Sequence, residues 1–562
     1  MNNKMSHLTS FQLPATPKRS AWSFNRCVML LSLAGFGMGM APTAHANPEE
    51  LEIGRRIYRE GVLPSGQMVQ GSRQDSVQLE GQAAACEACH RRSGMGSLEG
   101  NIVIPPITGN FLFSEEEKRP VALVDAREPR NITRPHAPYT ESSLAKVLRE
   151  GVNVSGKTLN PLMPKYALSD QEIKAVMAYL RQLSPELSPG VGGEVVHFAT
   201  IVTPDVSTQR REALVGMINT AFKQRNASQQ NYSGRMRMPL DLLPRTTRNW
   251  TLTLWELKGA PETWGEQLAE YYQREPVFAV VSGLSETTWE PVDRFCEQTQ
   301  LPCLFPSITA PPAQTSYYSL YYSRGLALEA EVIAKHLKGL GQNKPKRVIE
   351  IYRDEPSAQV ADTALQEAFK PTDLTLEKRI YDGSKASAQA VMANLSASDA
   401  VVFWLGPEDL ATLQREHSTP PAAKLFISGT LMNDKFSVID KYWQPSLRLI
   451  YPYEIGKVRD TNARALKSWL TTWKLPLVDE LMQNEVFFNL LFLTDMSSQM
   501  LDNLYRDYLI ERAEDMLSVG TNSSAYPHLS LSKGQRFGSK GAYIAQLSPE
   551  GKLIKTSDWI VP

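Results

Sequence analysis

The sequence predicts a multi-domain protein, an all-α domain near the N-terminus followed by an α/β domain of two lobes. Three observations carry this. The chain has 562 residues, more than one hydrophobic core organises, so two to four domains are expected. Residues 47–187 show helical apolar spacing at both ends and a compact cysteine–histidine motif between them. From residue 194 onward, apolar strand-like runs alternate with helical patterns, the mark of parallel sheets covered by helices.

Composition narrows the class. The chain carries 60 basic and 60 acidic side chains and is 42% apolar. That excludes a disordered or collagen-like chain. A lack of basic surplus argues against nucleic-acid binding. Five cysteines are too few for a disulfide scaffold.

Residues 1–46 read as a secretory signal peptide. Lys4, Lys18, Arg19 and Arg26 stand in this stretch with no acidic residue. An apolar run, Cys27–Met40, leads to Ala44-His45-Ala46, an A-x-A cleavage site. The run is about 14 residues, short of the roughly 20 that a membrane span needs. No Leu-x-x-Cys acylation box precedes Cys27, so a lipid anchor is not expected. Cleavage after Ala46 removes Cys27 and leaves 56 basic against 60 acidic side chains. It also implies the periplasm, an oxidising compartment where paired thiols are bridged or otherwise covalently used. No later segment is long and apolar enough to span a membrane. The strongest, Val486–Leu493, is broken by Asn489 and followed by Asp495, so it reads as a core helix.

Cys86-Glu87-Ala88-Cys89-His90 is C-x-x-C-H, the attachment signature of c-type haem. The spacing follows from the chemistry. Two thiols reach the two vinyl groups of one porphyrin, and the next residue, His90, lies beneath the iron. Chance gives this motif about 6 × 10⁻⁴ times in a chain of this composition, so coincidence is set aside. A zinc site wants further Cys or His at short spacing, and none follows.

The sixth ligand is expected from Asn160-Pro161-Leu162-Met163-Pro164, which places Met163 in a Pro-flanked loop. A thioether favours ferrous iron and raises the potential. His136, in an extended Pro-rich stretch, is the rival. Directly after the loop, Ser169-Asp170-Gln171-Glu172 forms a capping box. Ile173, Val176, Met177, Leu180 and Leu183 then repeat at helical spacing.

This segment, residues 47–187, resembles a mono-haem class I cytochrome c. In that family an N-terminal helix with a small residue and an aromatic crosses a C-terminal helix. Gly54 and Tyr58 match the first, and Tyr179 matches the second. The chain departs from the pattern in two places. There are 27 residues between Tyr58 and Cys86, and Met163 lies 73 residues beyond His90. Both imply inserted loops. The haem crevice so implied would have the Pro105 carbonyl accept the free N–H of His90. Arg91, Arg92, Arg130 and Arg134 either pair with haem propionates or a partner, or form a solvated charged loop.

Ser184–Gly193 is rich in Pro, Gly and Ser and reads as a linker, with 188–193 as its core. Beyond it, Val195–Val202, Trp250–Leu257, Val277–Ser282 and Leu301–Pro306 are strand-like, with helices between them. After Arg324–Leu340 the alternation resumes with Val348–Tyr352, Ala400–Leu405 and Lys424–Ser428. Residues 194–562 exceed one doubly wound sheet, so two lobes are expected. This region resembles the type I periplasmic binding proteins of the leucine/isoleucine/valine group. The resemblance implies a small organic or amino-acid-like ligand held between the lobes. Strand ends at Val281-Ser282-Gly283-Leu284 and Pro306-Ser307-Ile308-Thr309 stand where that family's first lobe meets its ligand. The second lobe would offer Tyr352 or Asp354, and Gly406. The same residues also suit ordinary turns and caps.

Cys296 and Cys303 bracket six residues between a helix end and a strand start, and are expected to form a disulfide. Gly534–Leu547 with Trp559–Pro562 reads as a terminal hairpin. No nucleophile–base–orienter set, nucleotide fingerprint or metal triad is visible. The expectation is thus a periplasmic electron carrier rather than an enzyme, with one covalent haem c and a redox partner such as a dehydrogenase. The alternative is a solute-binding or sensory protein in which haem reports redox state or a gas.

Overall fold

A computed structural model describes residues 47–73, 77–100, 102–115, 136–184, 186–233, 248–314, 316–370, 372, 374–517 and 524–562. The expected signal peptide with Cys27, and Arg130 and Arg134, lie outside the described residues.

The first helix, Pro48–Glu60, starts at Asn47, whose side chain accepts the Glu49 N–H at 3.2 Å. Pro48 occupies the first helical position, where no N–H is needed. Gly61 ends the helix at φ 66° in the left-handed region. Its buried face carries Gly54, Ile57 and Tyr58. That face packs on the last helix of the segment, Asp170–Gln182, which opens with the Ser169/Glu172 capping box read in the sequence. A Cβ on Gly54 would lie 2.1 Å from the Ala175 carbonyl oxygen, so the crossing needs glycine. Tyr58 and Tyr179 then meet with ring centroids 5.2 Å apart.

Residues 47–187 are mainly helical but not all-α. Gln70–Ser72 pairs antiparallel with Gln78–Glu80 and with Lys165–Tyr166. Ser97–Glu99 pairs with Ile102–Ile104. The long stretch between Tyr58 and Cys86 satisfies its backbone in part through the first of these ladders, which periodicity over so few residues does not reveal.

The rest of the chain forms two seven-stranded sheets. In the first lobe, Val195–Val202 is central and runs parallel to Asn249–Glu256 and Ala279–Val281. Cys303–Leu304 and Ser319–Leu320 continue the sheet, also in parallel. In the second lobe the parallel order is Thr375–Ile380, Arg347–Tyr352, Asp399–Trp404, Lys424–Ser428, Leu447–Tyr451. The tail adds Tyr543–Leu547 and Leu553–Lys555 as an antiparallel hairpin on the edge of this sheet. Thr375–Ile380 escaped the sequence reading because an edge strand with Glu377, Lys378 and Arg379 at its centre shows no apolar run. Cys296 and Cys303 are joined by a disulfide with Cα atoms 6.4 Å apart. It ties the end of helix Glu290–Gln298 to the next strand.

The apolar run at Val486 lies in helix Glu480–Met500, much of it buried. Asn489 is fully buried there, and its amide donates to Ser282 Oγ and to the Leu304 carbonyl, both at 2.9 Å. Among the described residues, no helix is long and apolar enough to cross a membrane.

The segment read as a linker is no free tether. Ser188 Oγ accepts the Arg506 N–H at 3.0 Å, and Ser188 N–H donates to the Leu504 carbonyl at 3.2 Å. Gly190, at φ 86°, packs so closely that a Cβ would lie 2.1 Å from the Phe278 nitrogen. Its Gly/Pro content serves close approach here, not slack.

Gly54→Ala is expected to destabilise the N-terminal segment by about 1–3 kcal/mol, since overpacking forces the two helices apart. A denaturant midpoint unchanged from wild type would show that the crossing tolerates a methyl group.

Candidate functional site

The haem-attachment residues sit on one turn. Cys86 precedes the short helix Glu87–His90, so Cys86, Cys89 and His90 stand at positions i, i+3 and i+4 of one helical turn. Both thiols are free. Burial pushes the Cys86 thiol up to about 12 and raises Cys89 as well. Burial likewise lowers His90 to about 4, so its imidazole is neutral. His90 Nδ1 lies 3.0 Å from the Pro105 carbonyl oxygen. A carbonyl only accepts, so the proton sits on Nδ1 and Nε2 keeps its lone pair. The Pro105 partnership expected from the resemblance is therefore present.

Apolar side chains surround this turn. Ile57, Val69, Leu148, Leu168 and Val176 line a small cavity beside Cys86. Met163 packs on the same apolar cluster as Cys86, in a turn closed by its N–H to the Asn160 carbonyl at 3.0 Å. His136 lies against Tyr139, ring centroids 5.2 Å apart, with Nδ1 2.8 Å from the Ala137 carbonyl. Arg73, missed in the sequence, reaches to 3.8 Å from Cys89 Sγ. Its Nε is buried without a hydrogen-bond partner.

Arg91 and Arg92 go elsewhere. Arg91 donates to Glu514 Oε2 at 2.7 Å, and both side chains are buried. Arg92 reaches Asp507 at 3.3 Å and lies 4.3 Å from the Tyr317 ring centroid. Ser93 N–H and Oγ donate to the two oxygens of Glu511. Lys533 Nζ donates to the carbonyls of Glu87 and Ala88 at 3.3 and 3.1 Å. Asp507, Glu511 and Glu514 all belong to helix Arg506–Leu517. The two arginines expected at propionates or in solvent instead fasten the attachment turn to the α/β region. Helix Arg506–Leu517 was not foreseen, because its buried charges disguise it as a surface segment.

The second candidate site is a cleft of about 860 Å³ between the two lobes. Ser307, Thr309 and Gly406 line it, together with Ser285, Glu286 and Thr430. Ser282, Gly283, Tyr352 and Asp354 do not. Ser282 adopts φ 57° and turns its hydroxyl to Asn489. Gly283 backs onto Trp289, whose ring would lie 2.6 Å from a Cβ. Tyr352 is buried in the core of the second lobe. Asp354 is exposed and accepts from Gln359 at 3.1 Å. The first-lobe strand resumes at Leu284–Ser285, so the cleft edge falls three residues beyond the position read from the apolar run.

Burial pushes Glu511 up to about 8 from the ordinary 4.5, against the pull of Arg91 and the Ser93 donors, with Asp507 adding a small upward push. The folded chain therefore holds a proton there that the unfolded chain releases at lower pH. Its contribution to stability is full below about pH 4.5 and is lost as pH rises through about 8. Glu511→Gln is expected to flatten this part of the profile, so wild type loses more stability than the variant between pH 5 and 8. Parallel denaturant curves for the two chains would contradict this. Glu514→Ala strands Arg91 and Arg536, which pairs with the same carboxylate at 2.8 Å, and is expected to cost about 3–5 kcal/mol.

Residues 80–184 match the cytochrome c family. No curated protein matches the chain. Among solved structures, the chain is similar to a fatty acid ABC transporter substrate-binding protein from Thermomonospora curvata. The identity is 12%, covering 67% of this chain and 95% of that one, with a TM-score of 0.49. A branched chain amino acid ABC transporter from Thermus thermophilus with bound valine is 8% identical over 66% of this chain and 97% of its own, TM-score 0.49. A solute binding protein from R. palustris in complex with benzoate is 12% identical over 66% and 98%, TM-score 0.47. The chain thus joins a cytochrome c segment at residues 80–184 to a region of two parallel sheets, and its structural neighbours are leucine/isoleucine/valine-type binding proteins.

Proposed function

We propose that this protein is an exported c-type cytochrome that carries single electrons, with an attached domain that binds a small solute in its interlobe cleft. The observation that carries the first half is the attachment turn itself. It has two free thiols at C-x-x-C spacing, a neutral His90 with Nε2 available, and Pro105 fixing the tautomer. Cys86 and Cys89 would hold haem c as thioethers, and His90 and Met163 would be the axial ligands. A haem held there supplies a reversible one-electron store. The chain's own residues set its properties. The soft Met163 sulfur favours the reduced state, the apolar wall around Cys86 keeps water out, and Arg73 supplies a positive charge beside the crevice. The reading is an electron carrier rather than a catalyst. A periplasmic dehydrogenase is the class of donor that suits it.

A second reading, a sensor of solute or redox state, is favoured by one connection. Helix Glu480–Met500 lines the cleft with Glu480 and Glu485. It packs against helix Arg506–Leu517, which grips the attachment turn. Solute and haem would then share one framework.

Protein matured with the haem-attachment machinery is expected to keep its pigment after denaturation and acid–organic extraction; pigment released into the organic phase would refute thioether attachment. Met163→Ala is expected to lower the reduction potential and let the ferrous protein bind CO. An unaltered spectrum in that variant would transfer the sixth position to His136. CO binding by the wild type would favour the sensory reading.

A further inference from the structure

The attachment helix Glu87–His90 is four residues long, so no further turn of N–H groups follows to satisfy its last carbonyls. Arg91, at φ 68°, turns the chain away at that point. Its N–H closes on the Glu87 carbonyl at 3.0 Å. The rest of this end is held by Lys533. Its Nζ donates to the carbonyls of Ala88 at 3.1 Å and Glu87 at 3.3 Å, the two residues between the attachment cysteines. The donor stands 445 residues beyond the Ala88 carbonyl that it holds.

This lysine is not a stray surface side chain. Gly534, next to it, turns at φ 80° and donates its N–H to Glu514 Oε1 at 2.9 Å. The same carboxylate pairs with Arg91 and Arg536. The Arg536 carbonyl in turn accepts the Tyr321 N–H at 2.8 Å, beside strand Ser319–Leu320 of the first lobe. The loop that carries Lys533 and the turn that receives it are therefore fixed to one carboxylate. The lysine's charge is also left over. Arg91 is matched by Glu514, and Arg59 and Arg92 by Asp507. Among the described residues no carboxylate pairs with Lys533, whose donors go to neutral carbonyls. Burial raises the Cys89 thiol, and Arg73 and Lys533 pull it the other way, so the charge reaches the second attachment residue.

We propose that Lys533 is a positioning residue of the haem site. It holds the carbonyls between Cys86 and Cys89, steadies the turn that carries His90, and leaves beside it a positive charge that raises the reduction potential. The physical reason is Coulombic. Ferric iron carries one more positive charge than ferrous iron, so a fixed cation nearby disfavours the oxidised form. Contacts behind a metal's ligands also orient those ligands and tune the metal. The inference rests on haem attachment at Cys86 and Cys89. It puts part of the control of that haem in the α/β region, outside the residues that match the cytochrome c family.

Redox titration of the full mature holoprotein decides it, with wild type set against Lys533→Met and Lys533→Arg. Lys533 is exposed, so neither change disturbs the core. Lys533→Met is expected to shift the equilibrium toward the ferric state by about two- to tenfold, where tenfold is about 59 mV for one electron. Raising the salt concentration should shrink that shift, since an exposed charge is screened. Lys533→Arg keeps a charge and several N–H donors and should stay within about twofold of wild type. In Lys533→Met the Arg91 amide, which bonds to the Glu87 carbonyl, should exchange its hydrogen faster. A Met variant with the wild-type potential, an unchanged Arg91 exchange rate, or an Arg variant displaced as far as the Met variant would overturn the assignment and leave haem attachment standing. Pigment released from the denatured wild type would overturn attachment, and this inference with it.

Discussion

The charged seam between the attachment turn and helix Arg506–Leu517 is the constraint on which the rest depends. A buried charge is tolerable only when paired and hydrogen-bonded. Arg91, Glu514 and Arg536 are all nearly fully buried, and both arginines pair with the Glu514 carboxylate, while the buried Glu511 takes two hydrogen bonds from Ser93. The helix is therefore stable only when docked, and the C-x-x-C-H turn is held by backbone and side chain at once. Tyr58 adds a further tie, its hydroxyl donating to the Arg91 carbonyl at 2.8 Å. The N-terminal helix, the attachment turn and the α/β region are thus locked through a single residue's main chain and side chain.

Arg506 extends the same logic into the first lobe. Its guanidinium donates to the carbonyls of Val277, Phe278 and Thr299 and to the Tyr272 hydroxyl. Those carbonyls lie at strand and helix ends whose ladders leave them unpaired. A buried arginine there replaces the water that would otherwise be needed. One helix so serves both sides, its acids gripping the cytochrome segment and its first arginine closing the sheet.

How much was legible follows from what kind of signal each feature leaves. The C-x-x-C-H turn, the Ser169 capping box and the Cys296–Cys303 bond are local or short-range, and residue type plus spacing reveals them, while the Gly54 crossing was expected from the family resemblance. The βα alternation gave the two lobes because parallel strands are apolar on both faces. Three things were hidden. Arg91 and Arg92 were open between propionates, a partner and solvent, because their acidic partners in the chain lie more than 400 residues away. Ser282 and Tyr352 were placed at strand ends correctly, but a positive φ at Ser282 and an inward side chain at Tyr352 remove them from the cleft. The lining of the interlobe cleft comes from distant segments, and no stretch of sequence displays it.

The two cysteine pairs impose opposite demands on the making of this protein. Cys296 and Cys303 lose their hydrogens to become one bond, while Cys86 and Cys89, under the proposed haem attachment, must remain thiols until porphyrin is offered. A buried thiol held near 12 is almost never ionised, and an un-ionised thiol reacts slowly. Attachment, as proposed, therefore comes before helix Arg506–Leu517 docks on the turn.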